Sequence, residues 1–151
     1  MTPEERLAEL GLAVPEVAKP LASYVPAVRS GQHVYTAGQL PLREGELITT
    51  GKVGGEVTEE QALECARQCG LNALAAVRAE MGELSAIKRV VKVVVFVAST
   101  PDFTGQPAVA NGASDLFGEV FGEAGRHARS AVGVAALPRD APVEVELVVE
   151  V

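Results

Sequence analysis

"HARSAVGVAAL" at residues 127–137 and "VEVELVVEV" at residues 143–151, joined by the turn "PRDAP", set the end of the chain as two strands. In the second, Val143, Val145, Leu147, Val149 and Val151 share one parity, and Glu144, Glu146 and Glu150 share the other. Successive side chains of a strand point to opposite faces, so one face meets a core and the other carries acids, solvated or at a subunit contact. The first strand is small and β-branched except for Arg129. A guanidinium is always charged, so a buried one must meet an anion. That anion is either Glu150 or Glu144 across the final hairpin, or it comes from outside. Ala131, Gly133 and Ala135 share the parity of Arg129 and leave a hollow beside it, a shape that suits a carboxylate held by a planar two-pronged donor. Register decides the place of Glu144. A hairpin pairing numbers with an odd sum puts it on the face of Arg129, and an even sum puts it on the other.

Working outward, "VVKVVVFVA" (90–98) is a third strand, part of a run over 89–98. "TEEQALECARQCGLNALAAVRAEMG" (58–82) predicts a helix, with Thr58 and Gln61 as a capping box, apolar or small residues at 62, 65, 66, 69, 73, 74 and 77, and Gly82 as its end. "PAVANGASDLFGEVFGEAG" predicts a second helix of weaker type, with three glycines inside its span and Val109, Leu116, Val120 and Phe121 as its buried stripe. "YVPAVRS" and "HVYTAGQL" form a hairpin around "SGQ", with Pro26 placing the first at an edge and His33 starting an edge strand, structural or exposed. Residues 43–57 read as a polar loop, and "MTPEERLAEL" opens as a helix with Thr2 as its cap. The order β-β-α-β-α-β-β predicts one α+β domain over residues 1–151, with its two helices on one face of the sheet and residues 1–20 as an N-terminal extension.

Thirteen basic residues against twenty acidic ones give a net charge of −7, and no basic stripe stands out. With no Trp and few aromatics for stacking, nucleic acid is not an expected partner. No apolar run approaches the roughly 18 residues of a membrane span. The acidic N-terminus does not read as a secretory signal, which predicts a cytoplasmic protein. Cys65 and Cys69, four residues apart on a helix, read as buried small hydrophobes, since no third metal ligand lies near. Neither a metal nor a cofactor is expected.

"VYTAGQLP" (34–41), "CARQCGLNALAAV" (65–77), "VVKVVVFVASTPDF" (90–103) and "ARSAVGVAALPRDAPVEVE" (128–146) together resemble the Rid family, the reactive intermediate deaminases also called YjgF proteins. The resemblance implies a chorismate-mutase-like fold with a mixed sheet, a homotrimer with a cleft at each subunit interface, and hydrolysis of enamines and imines such as 2-aminoacrylate to a 2-keto acid and ammonia. It further implies that Arg129 holds the substrate carboxylate, that Glu144 positions the attacking water, and that Tyr24 and Gly38 line the cleft. Asn111 matches an asparagine of the family motif. Ala37 stands where the family usually has serine, Ala131 where it often has cysteine, and His127 where it usually has proline. His127 shares the parity of Arg129 and is either solvated beyond the strand or a proton shuttle in the substrate site. The two alanines favour an alternative, a non-catalytic protein binding a small carboxylate metabolite. Endoribonuclease activity, a label also attached to the family, is disfavoured by charge and composition.

Overall fold

Thr58 begins the longest element of the chain. Its hydroxyl accepts from the backbone N–H of Gln61 at 3.1 Å, and the Gln61 side chain accepts from the Thr58 N–H at 2.9 Å. Two of the backbone donors left over at the helix start are thereby met. The computed structural model describes residues 1–20 and 22–151, and in it this helix, α2, runs Glu59–Met81 and ends at Gly82 with φ +91°. The stripe expected from spacing is buried in full: Ala62, Cys65, Ala66, Cys69, Ala73, Leu74 and Val77. A shorter capping box, Thr2 with Glu5, starts α1 at Pro3–Glu9, which buries Leu7.

The other elements are β1 (Ala27–Ser30), β2 (His33–Thr36), β3 (Leu42–Arg43), β4 (Glu46–Leu47), β5 (Arg89–Ala98), α3 (Gln106–Phe121), β6 (Ala128–Val134) and β7 (Val143–Glu150). A 3₁₀ turn at Gly122–Gly125 follows α3. Five strands form one mixed sheet in the order β1-β2-β7-β5-β6, with only β5 and β6 parallel. Helices α2 and α3 pack on each other and on one face of this sheet. They meet at glycine: a Cβ on Gly112 would run into the carbonyl of Leu63, so this position lets the two helix backbones touch.

Three expectations change. The strands β6 and β7 form no final hairpin, because β5 lies between them. Helix α3 is the crossover of a parallel β5-α3-β6 unit, which puts β6 on the far side of β5 from β7. The residues after β6 step over the end of β5, where Ser99 N–H donates to Val134 O and Ala98 N–H donates to Pro142 O. His33 does not start an edge strand, since β2 is flanked by β1 and β7; the edge belongs to β1, as Pro26 implied. Residues 43–57 are more than polar loop. Glu44 and Gly45, with φ +53° and +83°, turn the β3–β4 hairpin, and Val53 and Val57 are fully buried against the end of β5.

Register fixes the faces. Val93 of β5 sits opposite both Arg129 and Leu147, on the side of the helices, and Phe96 sits opposite both Val132 and Glu144, on the open side. The open side also carries Val28 and Tyr35, paired across β1 and β2, and Val148. Val28, Tyr35 and Val132 are 52%, 49% and 44% exposed, so this face carries uncovered apolar side chains among the acids of β7 in one copy of the chain.

Candidate active site

The six residues expected at a site fall into two groups on opposite faces of the sheet. Arg129, Asn111 and His127 meet under α3, whereas Tyr24, Gly38 and Glu144 line a cavity on the other side.

Arg129 is held by a stripe of α3. Pro107, Asn111 and Ser114 recur at i, i+4 and i+7 and so stand on one side of the helix. Nη1 of Arg129 donates to Asn111 Oδ1 at 2.8 Å and to Ser114 Oγ at 3.1 Å, and Nη2 donates to the carbonyl of Pro107 at 3.3 Å. Both Nη1 hydrogens and one on Nη2 are thus committed to α3. Nε–H and the second Nη2 hydrogen take no partner among the described residues, and no ion pair with Glu144 or Glu150 forms there. The guanidinium is oriented by its own chain and keeps donors on two neighbouring nitrogens, as many as a carboxylate accepts side by side. The hollow expected from the small residues lies further along the strand: Gly133 and Ala135 line an open cavity with Ser99, Phe103 and Gln106, and Arg129 is not part of its wall. A Cβ on Gly133 would lie 2.9 Å from both Gln106 Nε2 and Ser99 Oγ, so that glycine also serves the approach of α3.

His127 is half-buried, and both of its ring nitrogens are already engaged. Its Nδ1 lies 2.6 Å from the carbonyl of Gly125, its Nε2 lies 2.9 Å from Ser114 Oγ, and its ring meets Phe117 edge-on at 5.9 Å. A carbonyl only accepts, so Nδ1 carries the hydrogen, and Nε2 of the neutral ring accepts from the Ser114 hydroxyl. The same oxygen accepts from Arg129. His127 therefore acts on the guanidinium through Ser114, a residue the sequence reading passed over although the 107–111–114 spacing was there to find it.

On the open side, the segment after β2 builds the second group. Gln39 exchanges two backbone bonds with Val145, at 2.8 and 3.0 Å, while the ladder above is one residue out of step. The amide of Leu147, left over by that step, donates to the hydroxyl of Thr36 at 3.0 Å. This accounts for the threonine of "TAGQLP". Gly38 lies flat against Glu144: a Cβ there would come within 2.7 Å of the carboxyl carbon. Glu144, Gly38, Tyr24 and Pro138 share a cavity of about 230 Å³. Burial, with Glu146 as a like-charged neighbour, pushes the Glu144 carboxyl above its ordinary range.

The cysteines are as expected. Both are buried, burial pushes the Cys65 thiol up to about 11 and that of Cys69 up as well, and Cys69 Sγ donates to the carbonyl of Val143 at 3.6 Å. Thiols held protonated are poor nucleophiles.

Residues 4–151 match the family model described as "YjgF/chorismate_mutase-like, putative endoribonuclease". The chain belongs to the YjgF family. Protein TCP17 of Trypanosoma cruzi is 48% identical over 145 residues, which is 95% of this chain and 91% of that protein. A 2-iminobutanoate/2-iminopropanoate deaminase of Dermatophagoides farinae is 34% identical over 140 residues, 91% of this chain and 93% of the mite protein. Among solved structures, Atu1372 of Agrobacterium tumefaciens, a protein of unknown function, superposes with a TM-score of 0.93 at 47% identity, covering 99% of this chain and 92% of its own. The family's chorismate-mutase-like fold is the fold seen here. No helix among the described residues is long and apolar enough to cross a membrane.

Proposed function

We propose that this YjgF-family chain hydrolyses enamine and imine intermediates of the 2-aminoacrylate type, at a site assembled between two copies of a homotrimer. One observation carries the reading: Arg129 and Glu144 stand on opposite faces of one sheet, each prepared for the same small molecule. A molecule the size of 2-aminoacrylate cannot bridge those faces within a chain. It can lie between the Arg129 of one copy and the Glu144 of the next, and the exposed apolar face around Tyr35 and Val132 offers the surface on which copies would meet.

The chemistry follows from the groups. The enamine tautomerises to an imine, R–C(=NH)–COO⁻, an activated electrophile that needs no cofactor. Arg129 takes the carboxylate through Nε–H and Nη2–H. Glu144, ionised, takes a proton from water as the oxygen adds to the C=N carbon and passes it to nitrogen, giving the carbinolamine R–C(OH)(NH2)–COO⁻; it then carries the hydroxyl proton to nitrogen as the C–N bond breaks, leaving R–CO–COO⁻ and ammonia. A carboxyl raised by burial is a stronger base once ionised, which suits this step. Tyr24 lines the same cavity as Glu144.

A second reading, carboxylate binding without turnover, is favoured by Ala37 and Ala131, which remove a hydroxyl and a thiol from positions the family often keeps polar. An RNA substrate is disfavoured by the net charge of −7.

The test generates 2-aminoacrylate in situ and follows loss of its semicarbazone adduct. Wild type is expected to divert the intermediate to pyruvate and ammonia, and Arg129→Ala to lose about 10- to 100-fold in kcat/KM, the worth of charge-assisted hydrogen bonds. No acceleration with any of several imino acids would leave the binding reading in its place.

A further inference from the structure

We propose that the cavity beside Glu144 receives the side chain of the substrate, so that the chain prefers 2-imino acids with branched or aromatic apolar side chains over 2-aminoacrylate itself. The proposal rests on the reading of Arg129 and Glu144 as two halves of one site. It starts from a mismatch in size. The cavity measures about 230 Å³. An apolar cavity of about 150 Å³ is large enough to hold benzene, and one water accounts for roughly 30 Å³ of liquid. A substrate whose side chain is a single methylene would leave most of this space to water.

The walls say what should fill it. Ala18, Pro20 and Ala22 come from the N-terminal segment, Leu40 and Leu42 from the stretch after Gly38, and Pro138 from the turn before β7. None of these six side chains carries a hydrogen-bonding group; the polar groups of the lining come from Lys19, Tyr24, Gln39 and Glu144. Two of the walls are held in place. Asn72, buried in α2, donates from Nδ2 to the carbonyls of both Leu40 and Leu42 at 2.9 Å, and Gln39 beside them is bridged to Val145. The cavity is thus preformed, and Glu144 stands within it. A carboxylate fixed by Arg129 and a reacting carbon next to Glu144 leave the third substituent of that carbon to the apolar space. The N-terminal residues, which have no part in the acid–base step, then act as specificity determinants.

Stable 2-oxo acids, the products of the reaction, serve as probes. Pyruvate, 2-oxobutanoate, 4-methyl-2-oxopentanoate and phenylpyruvate are titrated calorimetrically into the full chain, with 2-oxoglutarate as the charged control. Each methylene buried on binding is worth about fourfold in affinity. The 4-methyl-2-oxopentanoate to pyruvate ratio should therefore exceed tenfold, and 2-oxoglutarate should fall below 4-methyl-2-oxopentanoate. Ala22→Leu and, separately, Ala18→Leu fill the cavity from two positions and should drive that ratio toward one. A flat series, absence of binding, or a ratio that survives both substitutions overturns the proposal. Hydrolysis of the corresponding imines is followed in parallel. A rising series without turnover sinks the hydrolytic reading and keeps the side-chain pocket, while turnover with a flat series does the reverse.

Discussion

Arg129 and Glu144 point away from each other through one sheet: Arg129 shares its face with Val93 and Leu147, and Glu144 shares its face with Phe96 and Val132. If both act on one substrate, the site needs two copies, each giving one residue. Arg129→Ala and Glu144→Gln should then each be strongly impaired alone and restore one another when co-assembled. In a ring closed by head-to-tail contacts, random mixing at equal amounts makes about a quarter of the interfaces intact. Activity near that fraction of wild type is the expected outcome of co-expression and co-purification of the two variants. No recovery in verified mixed assemblies would mean that the residues do not share a site.

Ser114 is the hinge of the second relationship, between His127 and Arg129. Ser114→Ala leaves His127 Nε2 without its donor and Nη1 one partner short. A lost hydrogen bond of this kind costs about 1 kcal/mol, or about 2–4 °C in Tm for a domain of this size. The guanidinium also loses part of its orientation, so the KM of the substrate or the Kd of a 2-oxo acid should rise several-fold. Ser114→Thr keeps the hydroxyl and should recover both. A drop in Tm with unchanged affinity would restrict Ser114 to a structural role.

Much of this architecture is legible in the residues, and the exceptions share a cause. Capping pairs such as Thr58 with Gln61 and alternation such as Val143 to Val151 are local signals, and they placed α2 and β7 correctly. Parity also placed Arg129 and Ala131 on one face. What parity cannot supply is a strand's neighbour. "LPRDAP" reads as a hairpin turn, but the pairing of β5 with both β6 and β7 is a long-range choice made by the crossover of α3. The same holds for the cavity. Residues 11–26 have no period, so nothing in them announces that Ala18, Pro20 and Ala22 stand over Glu144.

The Glu144 carboxyl carries a pH signature whose sign can be worked out. Its folded pKa is raised, so between the ordinary glutamate range and the folded value the native state binds more protons than the unfolded state. Stability must then fall as pH rises through that window and level off above it. Glu144→Gln removes this contribution. Its Tm should decline less than that of wild type as pH rises from the ordinary glutamate range, and at neutral pH it should be equal or higher, even though turnover is lost. Parallel Tm profiles for the two proteins would count against a buried, destabilised carboxylate. The wild-type rate should rise with pH on an acidic limb displaced above an ordinary glutamate.

Two glycines of α3 are expected to respond in opposite directions to the same substitution. Gly112 is buried at the crossing with α2, and a methyl there meets the Leu63 carbonyl and lies 3.1 Å from the Cβ of Ala66. Backbone cannot swing aside as a flexible side chain can. Gly112→Ala should therefore force the helices apart and cost about 1–3 kcal/mol, as overpacking does. Gly118 is exposed, and a Cβ there meets nothing within 4 Å. Gly118→Ala should stabilise by about 0.5–1 kcal/mol, because alanine loses less backbone freedom in a helix. Urea denaturation of the two variants reads both effects against one baseline. If Gly112→Ala proved neutral, the α2–α3 crossing would not be set by contact at this glycine, and the stripe that α3 presents to Arg129 would be free to shift with it.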